Sequence, residues 1–237
     1  MLSYRPQRDS SKYKYESLQI ISDKIKYNNF TVKIVPAILT SDIDSFWDQI
    51  EKLSPYYETF QIDIMDKTYG ENETISLFDI KQSLKPHANL TKKINLEFHL
   101  IIKNPEKYYK IVKELKTTFN IKCIYFHYKI KPNIQLLYDE LGIEIGIAID
   151  PDDSVAQFVQ NYDIYTIKNI IIMSVFPRAQ GQSFIEYSLD KIEQLRAAGY
   201  RYNISVDGGV NDKTIPLIFS KSFLPDFLNI GSFFSKS

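Results

Sequence analysis

The feature that most constrains the fold is a regular alternation of short apolar runs with amphipathic stretches. Eight such runs are rich in β-branched and aromatic residues, and most are apolar on both faces, as expected for strands of a parallel sheet. They are Val32–Leu39, Thr59–Met65, Asn95–Ile101, Lys122–Tyr128, Ile143–Ile149, Asn169–Val175, Tyr202–Val206 and Phe227–Ile230. Eight strand–helix units predict a closed (β/α)₈ TIM barrel of the α/β class, although a doubly wound open sheet has the same alternation.

The stretches between the runs have the apolar spacing of helices. Asp42–Leu53 and Pro105–Leu115 are two of them, with Asp42 and Asn104 as candidate N-caps and Pro105 at the first helical position. No repeat, low-complexity tract or Pro/Gly-rich linker divides the chain, and its 237 residues suit one barrel of about 250. The sequence therefore predicts a single barrel domain.

Residues 1–31 form an N-terminal extension ahead of the barrel domain, which is assigned to 32–237. Within the extension, an apolar stripe at helical spacing predicts a helix. The stripe consists of Leu18, Ile20, Ile21 and Ile25. Because the sequence ends at Ser237, shortly after the eighth run, we expect a truncated last helix. The extension would then cover strands eight and one, or else serve as a flexible or oligomer-contacting arm.

Charge and composition restrict the kind of partner. Lys plus Arg and Asp plus Glu each number 29, so no net charge attracts nucleic acid or an anionic membrane. No run approaches the roughly 18 apolar residues of a membrane span, and the N-terminus lacks the apolar core of a signal peptide. Cys123 is the single cysteine, which excludes an internal disulfide. We therefore expect a cytoplasmic protein with a small-molecule ligand, without nucleic-acid or membrane partners.

Polar side chains stand at the ends of three predicted strands. Strand alternation groups Gln61 with Asp63 on one face of the second run, and Glu97 with His99 on one face of the third. Asp207 ends the seventh run. Asp63, His99 and Asp207 would offer two carboxylates and an imidazole to a divalent cation, with Gln61 as a further neutral oxygen ligand. The alternative is that each is an isolated polar residue at a strand end.

Glycines cluster in the loops after strands six, seven and eight. They are Gly181, Gly208, Gly209 and Gly231, the last followed by Ser232. In barrels, phosphate groups commonly bind the loops after strands seven and eight and a nearby helix N-terminus, so the glycines predict a phosphate site. Arg178 would add a cation to that site, or is a solvated loop charge. His127 is expected in the wall of the pocket.

Several short motifs, in order along the chain, resemble those of ribulose-phosphate 3-epimerases, from Ile34 to Ser232. Residues 34–42 resemble Pro-Ser-Ile-Leu-Ser-Ala-Asp, 60–66 resemble His-X-Asp-X-Met-Asp-Gly, 97–100 resemble Val-His-Leu-Met, 173–175 resemble Met-Ser-Val and 206–211 resemble Val-Asp-Gly-Gly-Ile. The resemblance implies an isomerase that interconverts D-ribulose 5-phosphate and D-xylulose 5-phosphate in the pentose phosphate pathway.

The resemblance also implies roles for individual residues. Asp63 and Asp207 would exchange a proton with carbon 3 of the sugar from opposite faces, and Met65 and Met173 would line the substrate pocket. The cofactor would be a divalent cation, Zn, Fe or Mn, that stabilises the enediolate. We also expect the chain to form a homo-oligomer.

The chain departs from the family motifs within the site. Gln61 stands in place of a metal-binding histidine, Ala37 in place of a substrate-contacting serine, and Lys67 in place of a glycine. Arg178 and Gln180 occupy glycine positions of the family, and Ile101 replaces a methionine. These departures leave open an epimerase for a related ketose phosphate, or a degenerate barrel that binds a sugar phosphate or a partner without turnover.

Overall fold

A computed structural model of the chain describes residues 26–27, 30–176 and 182–231. Arg178, Gly181 and Ser232 of the predicted phosphate site lie outside this part of the chain, and so does the apolar stripe of the N-terminal extension. The truncated last helix falls outside it as well. The phosphate-binding roles of these three residues, the N-terminal helix and the truncated last helix therefore stay predictions.

Eight parallel strands form a closed barrel. They are β1 (Lys33–Ile38), β2 (Thr59–Met65), β3 (Asn95–Ile101), β4 (Asn120–His127), β5 (Glu144–Ile149), β6 (Asn169–Met173), β7 (Asn203–Asp207) and β8 (Phe227–Ile230). Each strand pairs with the next, and β8 pairs with β1 to close the ring. The predicted TIM barrel is therefore confirmed and the open sheet is excluded.

Helices follow the strands in sequence, as the apolar spacing predicts. They are α1 (Ile43–Leu53), α2 (Leu77–Gln82), α3 (Ala88–Thr91), α4 (Tyr109–Lys116), α5 (Ile134–Leu141), α6 (Val155–Asn161), α7 (Asp190–Ala197) and α8 (Ile215–Phe219). Short 3₁₀ helices occupy Lys85–His87, Pro105–Tyr108, Tyr128–Ile130 and Glu186–Leu189. None of the helices in the described part of the chain has the length and apolarity needed to cross a membrane.

The two predicted N-caps have different outcomes. Asp42 caps α1, because its side chain accepts a hydrogen bond of 2.7 Å from the backbone N–H of Ser45. Asn104 precedes a helical segment as predicted, but its side chain makes no capping hydrogen bond. Pro105 starts this segment as a 3₁₀ turn, whose tighter winding displaces the start of α4 to Tyr109.

The last described residues of the extension are extended. Lys26–Tyr27 and Phe30–Thr31 pair as short antiparallel strands. The apolar stripe of the predicted helix precedes them, outside the described residues, so the helix stays a prediction.

The apolar side chains form two layers of core. Outward-facing strand residues such as Phe60, Ile62 and Phe98 are buried against the helices. A smaller cluster, which includes Tyr125, fills the inside of the barrel. A Cβ on Gly146 would lie 2.4 Å from the Tyr125 ring, so glycine is needed where that ring crosses β5. This filling leaves the polar inward positions near the carboxyl ends of the strands.

Candidate active site

Asp63, His99 and Asp207, the three predicted ligands, meet inside the barrel. One ligand atom from each lies within 4.8 Å of the others. The Nδ1 atom of His99 is 3.1 Å from Oδ1 of Asp63 and 3.6 Å from Oδ2 of Asp207. Asp63 and His99 are neighbours across β2 and β3, whereas Asp207 reaches the same point from β7. Two carboxylates and one imidazole in this arrangement suit a divalent transition metal.

Hydrogen bonds hold the backbone at the two aspartates. The Thr74 hydroxyl donates to the carbonyl oxygen of Asp63 at 3.0 Å, and the Met65 N–H donates to the same hydroxyl at 3.0 Å. On the other side, the Ser174 N–H donates to the carbonyl oxygen of Asp207 at 2.7 Å. The ends of β2 and β7 are thereby fixed, and with them the directions of both carboxylates.

Gln61 is fully buried between the two aspartates. Its Nε2 donates to Oδ1 of Asp63 at 2.9 Å and to Oδ2 of Asp207 at 2.6 Å. Its Oε1 accepts from Nδ2 of Asn229 at 2.5 Å. This orientation differs from the predicted one, in which the amide oxygen faces a cation, because Asn229 holds that oxygen from β8. Asn229 was not predicted as a site residue, although its inward position on a strand, two residues before Gly231, was readable from the sequence.

Behind His99 lies a second set of polar side chains that the sequence analysis did not connect. Nε2 of His99 is 2.9 Å from Nε2 of His127, and Nδ1 of His127 is 2.8 Å from Oδ1 of Asp150. Both histidines and Asp150 are fully buried. The burial of His127 leaves no exposed atom for the predicted contact with substrate. Asp150 follows β5 directly, just as Asp207 ends β7, so the same strand-end signal was available.

Two further side chains, Tyr69 and Lys129, contact Asp150 in this second set. The Tyr69 hydroxyl donates to Oδ2 of Asp150 at 2.8 Å, and Nζ of Lys129 lies 3.1 Å from the same oxygen. The Tyr69 ring also packs on the ring of His127, with 4.6 Å between their centroids. Tyr69 belongs to the loop between β2 and α2, so this loop is attached to the polar set beneath it.

Burial and neighbouring charges shift the pKa values of the buried titratable groups in different directions. Burial and the charge of Asp63 raise the pKa of Asp207 to about 7. Burial lowers the pKa of His99, but the hydrogen bond and charge of Asp63, with the charge of Asp207, raise it overall. Burial also lowers the pKa of His127, and this effect prevails. For Asp150 burial acts upward, yet the hydrogen bond from His127 and other donors bring its pKa to about 2.

The predicted pocket residues in the described part of the chain lie around this cluster. Met65 and Met173 are 6% and 4% exposed. Gly208 and Gly209 have φ angles of 104° and 64°, and a Cβ at Gly208 would lie 2.5 Å from Cγ2 of Val175. At Gly231, a Cβ would lie 3.0 Å from a backbone oxygen. Steric crowding therefore requires glycine at Gly208, in the loop after β7, and leaves little room for a side chain at Gly231, after β8.

Comparison with known proteins relates this chain to an enzyme family. The family described as ribulose-phosphate 3 epimerase matches residues 33–233. The ribulose-phosphate 3-epimerase of Aquifex aeolicus is 28% identical over 187 residues, covering 77% of this chain and 81% of that protein. The Synechocystis sp. enzyme of the same name is 30% identical over 187 residues, covering 76% of this chain and 77% of that protein.

Solved structures support the fold alone. The 3-hexulose-6-phosphate synthase of Salmonella typhimurium superimposes with a TM-score of 0.58 at 11% identity, covering 87% of this chain and 92% of that chain. At such identity the similarity shows a shared barrel fold and gives no information about the substrate.

Proposed function

The chain belongs to the ribulose-phosphate 3-epimerase family, and from that premise we propose that it inverts carbon 3 of a ketopentose phosphate. The substrate pair would be D-ribulose 5-phosphate and D-xylulose 5-phosphate. The observation that carries the proposal is the meeting of Asp63 and Asp207 around His99 at the carboxyl ends of the strands. Active sites of TIM barrels lie at this end.

Epimerisation requires proton removal from one face of carbon 3 and proton delivery to the other. One aspartate takes the proton, the electrons of the C–H bond move toward the carbon 2 ketone, and an enediolate forms. The second aspartate, initially protonated, then gives its proton to the opposite face. The reverse reaction exchanges the two roles.

Asp63, His99 and Asp207 would hold a divalent cation, Zn, Fe or Mn, because their donor set suits such an ion. When bound, the cation would supply Lewis-acid stabilisation of the enediolate oxygens. Gln61 keeps an N–H donor on each aspartate, which restrains both carboxylates in the orientation needed at carbon 3.

The remaining contacts to substrate are assigned to the rim of the barrel. Gly208, Gly209 and Gly231, together with Gly181, Ser232 and Arg178, would bind the phosphate group through backbone N–H groups and one guanidinium. The Met65 and Met173 side chains would exclude water from the reacting carbon.

The test is an epimerase assay with D-ribulose 5-phosphate in D₂O, in the presence of Zn²⁺, Fe²⁺ or Mn²⁺ in turn. Wild-type protein is expected to introduce deuterium at carbon 3 of both epimers. Asp63→Asn and Asp207→Asn are each expected to slow epimerisation by about 10²–10⁴-fold. Because each aspartate serves one face, each variant should retain exchange with at most one epimer.

Asp152→Asn is the matched control, since Asp152 is a rim carboxylate with a side chain 50% exposed. Its activity is expected to match wild type. Binding of the sugar phosphate without turnover under any metal would instead support a non-catalytic barrel, an alternative that the amide of Gln61 between the two aspartates favours. Turnover of another ketose phosphate alone would reassign the substrate.

A further inference from the structure

The contact between the two buried histidines contains information about where their protons lie. Nε2 of His99 and Nε2 of His127 are 2.9 Å apart. A contact of this length between two ring nitrogens is favourable only when one carries a proton and the other presents a lone pair. The direction of this hydrogen bond therefore depends on what holds the other nitrogen of each ring.

Asp150 sets that direction. Its Oδ2 already receives the Tyr69 hydroxyl and the Lys129 ammonium, and its low pKa of about 2 keeps it ionised. An ionised carboxylate only accepts hydrogen bonds. Nδ1 of His127, 2.8 Å from Oδ1 of Asp150, must therefore carry a proton, and when this is the one proton of the ring its Nε2 presents a lone pair. Nε2 of His127 is then an acceptor.

The consequence passes to His99. Because Nε2 of His127 accepts, Nε2 of His99 must donate, and a neutral His99 keeps its lone pair on Nδ1. That atom is the one that faces Asp63 at 3.1 Å and Asp207 at 3.6 Å. A cation held between His99 and the two aspartates needs the lone pair on Nδ1, so the proton of a neutral His99 then has to stay on Nε2.

We propose that Asp150 is a positioning residue which, through His127, keeps a proton on Nε2 of His99 and reserves Nδ1 for a divalent cation. The inference rests on the metal-binding part of the proposed function. Carboxylates that orient metal-binding histidines commonly act through one hydrogen bond. Here a second histidine transmits the effect, which moves the orienting charge away from Asp63 and Asp207.

Tyr69 connects this set to the loop after β2. Its hydroxyl holds Asp150 and its ring covers His127, so the loop that follows Asp63 also fixes the orienting pair. Lys129 bonds both Asp150, at 3.1 Å, and Asp152, at 2.6 Å. Of these two carboxylates, Asp150 contacts His127 and Asp152 does not, which gives a matched pair for the experiment.

Asp150→Asn is expected to reverse the order of protons. The amide oxygen would turn toward the donors Tyr69 and Lys129, so the amide nitrogen would donate to Nδ1 of His127. The proton of His127 would then move to Nε2, and His99 would have to accept there. A neutral His99 would carry its proton on Nδ1, where it opposes a cation. Zn²⁺ affinity, measured by chelator competition, should fall about 10- to 100-fold. Asp152→Asn should retain the wild-type affinity.

Two-dimensional ¹⁵N–¹H NMR of the histidine rings gives a readout that needs neither turnover nor the variant. In wild-type protein, His127 is expected in the Nδ1–H form, and Zn²⁺-loaded His99 is expected to keep its Nε2 proton. His127 in the Nε2–H form, or equal Zn²⁺ affinity of wild type and Asp150→Asn, would overturn the proposal. Wild-type protein could also lack epimerase activity while the ring states and Zn²⁺ affinities are as expected. That result would reject the proposed function, and it would still support the positioning role of Asp150.

Discussion

Glu97 shows, at the scale of a single residue, how the barrel interior changes a carboxyl group. It faces inward on β3, with Oε2 3.4 Å from the Tyr125 hydroxyl, and burial raises its pKa to about 7. A carboxyl group whose pKa is higher in the folded state stabilises that state below its unfolded pKa of about 4.3. This stability is lost as the pH rises through about 7.

Glu97→Gln should therefore remove a pH-dependent destabilisation. At pH 8 the variant is expected to exceed wild type in free energy of unfolding by about 1–3 kcal/mol, with a smaller difference at pH 5. Urea unfolding at the two pH values measures it. An identical difference at both would contradict ionisation of Glu97 as the cause.

Strand alternation was sufficient to predict that Asp63 and His99 face inward, but not that His99 touches His127. Asp63 and His99 followed from a period of two along each strand, independently of the rest of the fold. The contact between His99 and His127 depends on how β3 and β4 align. That alignment includes an irregularity between Leu96 and Glu97 that no local pattern predicts.

At the scale of an element, the loop between β2 and α2 contains a residue in an unfavourable backbone conformation. Lys67 has a φ angle of 63°, in the left-handed region, at the position where the family motif has glycine. Its ammonium forms an exposed ion pair with Glu73. The same loop brings Tyr69 to Asp150, so the backbone conformation serves the attachment of the loop.

A pair of variants separates the backbone strain from the ion pair. Lys67→Gly and Lys67→Ala both remove the charge, but only glycine relieves the left-handed conformation. The glycine variant should be more stable than the alanine variant by about 1 kcal/mol, measured by urea unfolding. Equal stabilities would mean that this φ angle carries no strain. The same comparison at Lys131, with a φ angle of 51°, provides an independent repeat.

Element ends were predictable where a short-range interaction determines them. The side chain of Asp42 sets the start of α1 by a contact with Ser45, three residues away, and this was visible in the sequence. The choice between a 3₁₀ turn and an α-helix after Pro105 depends on packing against other elements, so it was not visible in the sequence. The strands were located to within two residues, as with Lys122–Tyr128 predicted and Asn120–His127 observed.

At the scale of the whole molecule, the pairing of β8 with β1 closes the barrel and raises the question of what covers its outside. Ile38, Leu228 and Ile230 face outward on these strands and are buried. α8 precedes β8 and α1 follows β1, and among the residues that the structure describes no helix follows β8. Parallel strands need cover on both faces, so the position between α8 and α1 requires an apolar partner.

We predict that the N-terminal extension supplies this partner through the stripe of Leu18, Ile21 and Ile25. Deleting residues 1–28 should lower the melting temperature by about 10 °C or more, since loss of a few buried aliphatic side chains removes several kcal/mol. In the full-length chain, serine at all three stripe positions should give a similar loss, whereas alanine at Ser17, Gln19 and Asp23 should not. Sedimentation analysis of the same proteins separates the competing role of an oligomer-contacting arm: a change of oligomeric state with an unchanged melting temperature would support the arm and reject the cover.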